Sequence, residues 1–296
     1  LEASNGLGKV ISPILGAGFA LISWYFPFFA YGFLAIPIGL AIWFLVKEVT
    51  EFKKQSFKNY VDAVKEIFKN KVSGLLASFF AGMVALFSLF GISSLYSDIL
   101  EKDFGILGIK KGLVMAGPVF VMATLSFVLG IILEKAKNKG LKLFVITGLV
   151  FIISGQGLFL LLKGMWPKFA SLVLLGAGVG LVMTPVNTLV TGSCSTKRRG
   201  IITCLYGSLR FFGVAIGPPL YGLSEKYGIV PTVAVMSIAP ILSLIASIVF
   251  INIDKILKQE TSQKASFAST AESASESRNA VVSSSKKLLS FKRKLR

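Results

Sequence analysis

Long apolar segments separated by short polar ones dominate the pattern of this sequence. Eight such segments reach the roughly 20 residues that an α-helix needs to cross a bilayer core of about 30 Å. They lie at about 7–23, 26–46, 72–96, 111–133, 141–162, 167–191, 199–223 and 229–252. Glycine and proline are frequent inside them, which membrane helices tolerate because their neighbours pack closely over small residues. The pattern predicts an all-α polytopic membrane protein, a helical bundle with about eight transmembrane helices present.

Basic residues are concentrated in alternate connections between these helices. The connections at 47–71, 134–142 and 197–199 are rich in lysine or arginine, whereas the intervening ones are short or mixed in charge. Connections rich in lysine and arginine stay on the cytoplasmic side of a membrane. We therefore expect a multi-pass protein of the cell membrane with both termini in the cytoplasm.

A strong positive charge accompanies the hydrophobicity, since the 296 residues are 54% hydrophobic and carry a net charge of +18. We expect no nucleic-acid partner, because the basic residues lie beside apolar helices, where topology and anionic headgroups account for them. The chain has no histidine, which excludes histidine-based catalysis and histidine-ligated metal sites. Cys194 and Cys204 fit no metal-binding spacing, and no nucleophile has an evident base beside it. We expect no cofactor, no metal and no enzymatic activity.

Two polar segments are long enough to have structural character of their own. In 47–71, apolar residues recur at helical spacing between lysines, and a basic amphipathic helix of this kind lies in the plane of the membrane interface. The segment from about 253 onward is rich in serine, alanine, lysine and glutamate without an apolar period, which predicts a disordered basic cytoplasmic tail. This tail is either a headgroup-binding segment or a solvated extension.

A proline with small residues one and five positions before it occurs in the first and again in the seventh predicted helix. Small residues four apart share one helix face and let another backbone approach, and the proline bends the helix. Each copy alone is typical of generic packing between membrane helices. Two copies six helices apart indicate an internal repeat in parallel orientation, as in transporters with two similar six-helix halves. The members of the two copies are Gly8, Ser12, Pro13 and Gly16, and Gly213, Gly217 and Pro218.

The first copy resembles the antiporter motif in the fifth helix of the major facilitator superfamily, which is common in its drug–proton export branches. Ser12 and Ala17 stand where that motif usually has glycine, which preserves the small size and weakens the assignment to export. The resemblance implies helices five to twelve of a twelve-helix carrier, with the four N-terminal helices missing. It divides the chain into the last two helices of an N-terminal bundle (1–46), a central cytoplasmic loop (47–71), a six-helix C-terminal bundle (72–252) and the tail (253–296).

A second match to the same family lies between the fourth and fifth predicted helices. Here Gly130, Glu134 and Lys135 resemble the second-half copy of the superfamily's cytoplasmic loop signature, a glycine followed by an acid–base pair and further basic residues. Glu134 ends a helix and is placed to accept hydrogen bonds from the N-terminus of a neighbouring helix, which implies a role in holding one closed state. The alternative is a positive-inside loop with one isolated acid.

Polar residues inside the predicted helices are candidates for a transport cavity. Arg210 lies in the seventh helix, where an unpaired charge is costly, so it faces a cavity or a carboxylate, or else it snorkels to the cytoplasmic end. The run around it, from 197 to 213, also resembles bacterial exporters of the superfamily. Gln156 and Asn187 are further cavity candidates, and hydrogen bonding between helices explains Asn187 equally well.

The resemblance implies a secondary active transporter that works by alternating access, with proton-coupled efflux of small hydrophobic or drug-like molecules. No cofactor is expected beyond a proton gradient. One alternative is an uptake permease for sugars or organic acids. Another is a truncated membrane partner that does not transport, since the missing N-terminal helices would have to come from a longer chain or a partner. The expected partners are the lipid bilayer and a small-molecule substrate.

Overall fold

Helices form the regular structure of the computed structural model. It describes residues 15–16, 19, 22–23, 25–45, 57–135, 140–193 and 196–251, with the backbone alone at 57–72, 134 and 196–199. The helices are α1 (Phe26–Leu45), α2 (Phe57–Lys102), α3 (Gly108–Lys135), α4 (Leu141–Leu161), α5 (Met165–Gly192), α6 (Thr196–Gly222), α7 (Ser224–Tyr227), α8 (Ile229–Met236) and α9 (Ile238–Phe250). The described residues contain no strand, so the all-α prediction is confirmed for this part of the chain.

Seven helical stretches of the described chain are long and apolar enough to cross a membrane. They run at Phe26–Leu45, Ser73–Lys102, Gly108–Leu133, Leu141–Leu161, Met165–Gly192, Gly200–Tyr227 and Ile229–Phe250. These correspond to the second through eighth predicted membrane helices, and their ends agree within a few residues. The first predicted helix, 7–23, lies mostly outside the described residues and stays a prediction.

The predicted amphipathic helix between the two bundles differs in form from the expectation. Its helical part begins at Phe57 and continues without a break into the apolar stretch that starts at Ser73, so that α2 is a single helix of 46 residues. No proline or glycine interrupts the sequence between Phe57 and Ser73, which removes the usual local causes of a helix break. A separate element is therefore absent at this point of the described chain.

The core of the bundle lies around α2 and α5, whose apolar stretches are the most buried. Around them, α6 and α9 pack against α2, and α3 and α4 pack against α5. The outward faces of the surrounding helices carry exposed large apolar side chains, among them Phe120 of α3, Phe211 of α6 and Ile245 of α9. Apolar residues on all sides of a helix are typical of membrane-spanning segments, where they contact either hydrocarbon or another helix bundle.

Short turns at helix ends keep the bundle compact. Gly140 before α4 and Gly228 before α8 have φ of 82° and 87°, angles that glycine adopts without steric cost. The last membrane stretch is interrupted at Ser237, between α8 and α9. Pro240 explains the interruption, because it offers no N–H to the carbonyl of Met236 four residues earlier.

Candidate transport-motif interface

The second copy of the proline motif lies where α6 packs on α2. Gly213 and Gly217 are both buried. A Cβ built on Gly213 would lie 2.5 Å from the carbonyl oxygen of Met83, and one built on Gly217 would lie 2.8 Å from that of Phe87. Ordinary van der Waals contact begins at 3.4 Å, so neither position has room for a side chain. Glycine at these two positions is what lets the two backbones touch.

The prolines of this motif stand inside an unbroken helix. Pro218 and Pro219 lie within α6, which continues as a helix to Gly222. Because proline lacks an N–H, the carbonyls of Val214 and Ala215 have no donor within the helix. Packing against α2 therefore has to support α6 at this point.

Two tyrosines of α6 complete the contact with α2, and sequence reasoning missed both. A Cβ built on Gly82 would lie 2.7 Å from Cε2 of Tyr206, and one built on Gly91 would overlap the ring of Tyr221. We call these two positions the glycine notches of α2. Glycines in an apolar helix could have indicated these contacts, because glycine leaves an open space on the helix surface. Nothing in the sequence shows which side chain fills that space.

Arg210 is buried, with 7% of its surface exposed, and it lies on the same face of α6 as the motif glycines. Its guanidinium carbon is 5.4 Å from the ring centres of Tyr206 and Phe211. One of its terminal nitrogens is 4.0 Å from Sδ of Met183 in α5. The structure thus places this charge in a buried position where α6 lies against α5.

Gln156 of α4 is fully buried and contacts Tyr221 of the same interface. Its Nε2 donates a hydrogen bond of 3.0 Å to the hydroxyl of Tyr221, and Ser88 of α2 lies beside that hydroxyl. Within the described part of the chain, Oε1 of Gln156 has no hydrogen-bond partner. Asn187 of α5 is half-buried, and its backbone carbonyl accepts a hydrogen bond of 2.8 Å from Oγ1 of Thr191.

The structure describes only some of the remaining sequence-predicted residues. Lys135 is exposed at the end of α3, and Glu134 precedes it in the helix, described by its backbone alone. Gly16 is helical, and a Cβ built on it would lie 3.6 Å from the hydroxyl of Tyr31 in α1. The other members of the first motif copy, at positions 8, 12 and 13, lie outside the described residues.

A second set of close helix contacts surrounds α5 and was not predicted. A Cβ built on Gly180 would lie 2.7 Å from the carbonyl of Met122 in α3, and one built on Gly178 would lie 2.6 Å from the carbonyl of Gly148 in α4. The glycines at 176, 178 and 180 thus allow close backbone contact on two faces of α5, one with α3 and one with α4. Their spacing by two residues was the signal that could have indicated contacts with two partners.

Two ion pairs lie together at one end of the bundle, which we call the Glu225 end. Nζ of Lys102 is 2.5 Å from Glu225, and Nζ of Lys111 is 2.7 Å from Glu101. The acidic side chains that the structure describes all lie near this end, at positions 98, 101, 103 and 225. Among the described residues there is also no cluster of three side chains fit to hold a metal ion.

The comparisons with known proteins agree with this architecture. A model of the Major Facilitator Superfamily matches residues 1–218, which is most of the chain. The chain therefore belongs to the major facilitator superfamily, a family of membrane transporters, and it is a multi-pass membrane protein.

Two curated relatives come from Bacillus subtilis (strain 168). The "Bacillibactin exporter" is 33% identical over 222 residues, which cover 75% of this chain and 55% of that protein. The "Multidrug efflux protein YfmO" is 28% identical over 235 residues, which cover 76% of this chain and 54% of that protein. The chain thus spans about half the length of the curated relatives that it matches. Both relatives are named as exporters.

Proposed function

We propose that the protein to which this chain belongs exports small hydrophobic or drug-like molecules by secondary active transport. The observation that carries the proposal is the contact of α6 with α2, where Gly213 and Gly217 lie against backbone carbonyls. This glycine–proline motif is the second-half counterpart of one that resembles the motif of exporting branches. Membership of the family supports transport, and the names of the two relatives support export as its direction.

The proposed mechanism is alternating access by rocking of two helix bundles. In this proposal, the bundle from α2 to α9 moves as one half and presents its exposed α3 and α6 faces to the other half. Phe120 and Phe127 on α3, with Ser208 and Phe211 on α6, are exposed in the described structure. A face of aromatic and small polar side chains suits both contact with a second bundle and passage of an apolar molecule.

Coupling and substrate are the finer parts of the proposal. Proton entry drives export, with both termini in the cytoplasm, which follows from the basic connections and from the family resemblance. The relatives' names suggest two kinds of cargo, bacillibactin and chemically varied drugs. No cofactor takes part, and the only partners are lipid and the transported molecule.

Everted membrane vesicles that contain the full native protein test this proposal. We expect uptake of bacillibactin or of a lipophilic dye when a proton gradient is imposed, and loss of that uptake when a protonophore dissipates the gradient. Vesicles from cells without the gene are the control. Uptake of both compounds at the control level would refute export, and uptake that ignores the protonophore would refute proton coupling.

A further inference from the structure

Two consecutive prolines make the end of α6 an expected point of bending. Pro218 and Pro219 leave the carbonyls of Val214 and Ala215 without donors in the helix. Sharp kinks of helices occur mostly at such positions. A hinge at this pair would let the last turn of α6, together with α7, swing away from the bundle.

Tyrosines stand on both sides of this segment and hold it against α2. Tyr206 precedes Gly213 by two turns, and Tyr221 lies two residues after Pro219. Both tyrosines are at most 2% exposed. Their rings fill the glycine notches at Gly82 and Gly91, and the rings of Phe79 and Phe87 lie 5.4 and 5.5 Å from them.

The hydroxyl of each tyrosine passes α2 and ends on a third helix. The hydroxyl of Tyr221 accepts the hydrogen bond of 3.0 Å from Gln156 in α4. The hydroxyl of Tyr206 lies 3.9 Å from Sδ of Met183 in α5. Each contact needs glycine in α2, because a Cβ at either notch would occupy the position of the ring. The helix α6 is thus fixed across α2 at two points, with direct backbone contact between them.

We propose that Tyr206 and Tyr221 are positioning residues that clamp α6 to α2 on both sides of the proline pair, so that α6 does not bend at Pro218 and Pro219 when the bundle changes conformation. The helices α2 and α6 then move as one rigid body despite the prolines. The proposal concerns the motion of the bundle and holds whether or not the protein exports the cargo proposed above.

Hydrogen–deuterium exchange of the full protein in lipid nanodiscs tests the clamp. Tyr221→Phe keeps the ring in its notch and removes only the hydroxyl that Gln156 contacts. We expect exchange in the segment 214–228 to rise about fivefold, the effect of losing one typical buried hydrogen bond. Exchange in the contact between α4 and α5, around Gly148 and Gly178, should stay at the parent rate.

A matched pair of glycine variants separates the clamp from ordinary helix effects. Gly91→Ala places a methyl group on the Tyr221 ring, and Gly222→Ala adds the same methyl group next to Tyr221 where no described atom lies within 4 Å. We expect Gly91→Ala to raise exchange in 214–228 more than Tyr221→Phe does, and Gly222→Ala to leave it unchanged. Parent-level exchange in Tyr221→Phe would overturn the clamp, whether or not Gly91→Ala folds. An increase spread evenly over the whole bundle would overturn it too.

Cross-linking gives a second test that separates this inference from the proposed export. Lys102 at the end of α2 contacts Glu225 in α7, so a short thiol-specific reagent can join cysteines placed at these two positions. The native Cys194 and Cys204 are replaced by serine in this variant. If α6 does not bend, vesicle uptake by the double variant should persist after cross-linking. Loss of uptake on cross-linking overturns the clamp. Absence of uptake by the parent protein counts against the proposed export instead, and the exchange data then decide the clamp.

Discussion

Replacing Gly213 by alanine tests whether backbone contact between α6 and α2 stabilises the bundle. The new methyl group would lie 2.5 Å from the carbonyl oxygen of Met83. Gly207 lies on the same helix, and a Cβ there would meet no described atom within 4 Å. The variants Gly213→Ala and Gly207→Ala therefore make the same chemical change in the same helix, with and without a close neighbour.

The expected magnitude follows from the distance that has to open. Bringing the methyl group at position 213 to an ordinary contact of 3.4 Å requires the two backbones to separate by 0.9 Å at this point. A gap of 0.5–1 Å loses a quarter to a half of the dispersion energy of each contacting pair, and overpacking of this kind typically costs about 1–3 kcal/mol. Alanine recovers about 1 kcal/mol through its higher helix propensity. We expect Gly213→Ala to lower the free energy of unfolding by up to about 2 kcal/mol, and Gly207→Ala to raise it by up to about 1 kcal/mol.

Thermal unfolding of the purified protein in a mild detergent measures this difference. For a chain of this size, 1 kcal/mol corresponds to a shift in Tm of about 2–4 °C. Gly213→Ala should therefore melt up to about 8 °C below the parent, and Gly207→Ala at the parent temperature or up to about 4 °C above it. If Gly213→Ala melts at the same temperature as Gly207→Ala, the close contact at Met83 does not stabilise the bundle, and the reasoning from the glycine motif fails.

Three further predictions concern other parts of the structure. Gly178→Ala places a methyl group 2.6 Å from the carbonyl of Gly148, so it should lower the free energy of unfolding in detergent by up to about 2 kcal/mol. Gly157→Ala, with no described atom within 4 Å, should raise it by up to about 1 kcal/mol, and equal effects would contradict the argument. Tyr96→Phe removes a hydrogen bond of 3.0 Å to the carbonyl of Met165 and should lower Tm by an amount corresponding to about 1 kcal/mol; an unchanged Tm would show that this bond adds no stability. Arg210→Ala should impair vesicle uptake while the amount of protein in the membrane stays at the parent level, and unchanged uptake kinetics would exclude a role in transport.

The membrane helices could be predicted from the sequence because the bilayer sets their length. An apolar run of about 20 residues has only one way to satisfy its backbone groups in hydrocarbon, which is an α-helix. The described spans from α1 to α9 accordingly follow the apolar runs. Family membership could also be predicted, since the Gly213–Pro218 motif and its earlier counterpart are local patterns with fixed spacing.

The form of 47–71 shows where local pattern is insufficient. Its apolar residues recur at helical spacing, so the sequence predicts a helix there. Whether that helix stands alone or continues into the next one depends on the residues at the junction. With no breaker between Phe57 and Ser73, continuation into a single α2 costs no backbone hydrogen bond.

By itself, the sequence determined that this protein is an all-α membrane protein of the major facilitator superfamily, through run lengths and local motifs. Only the tertiary structure decided the partners of individual side chains. It placed Tyr221 over Gly91 and against Gln156, and it placed Arg210 beside Met183 inside the bundle. These partners lie far apart along the chain, and every apolar face of a membrane helix is equally suited to lipid. Close contact over glycine decides which face of a helix lies against another helix and which faces lipid, and this contact depends on how all the helices pack together.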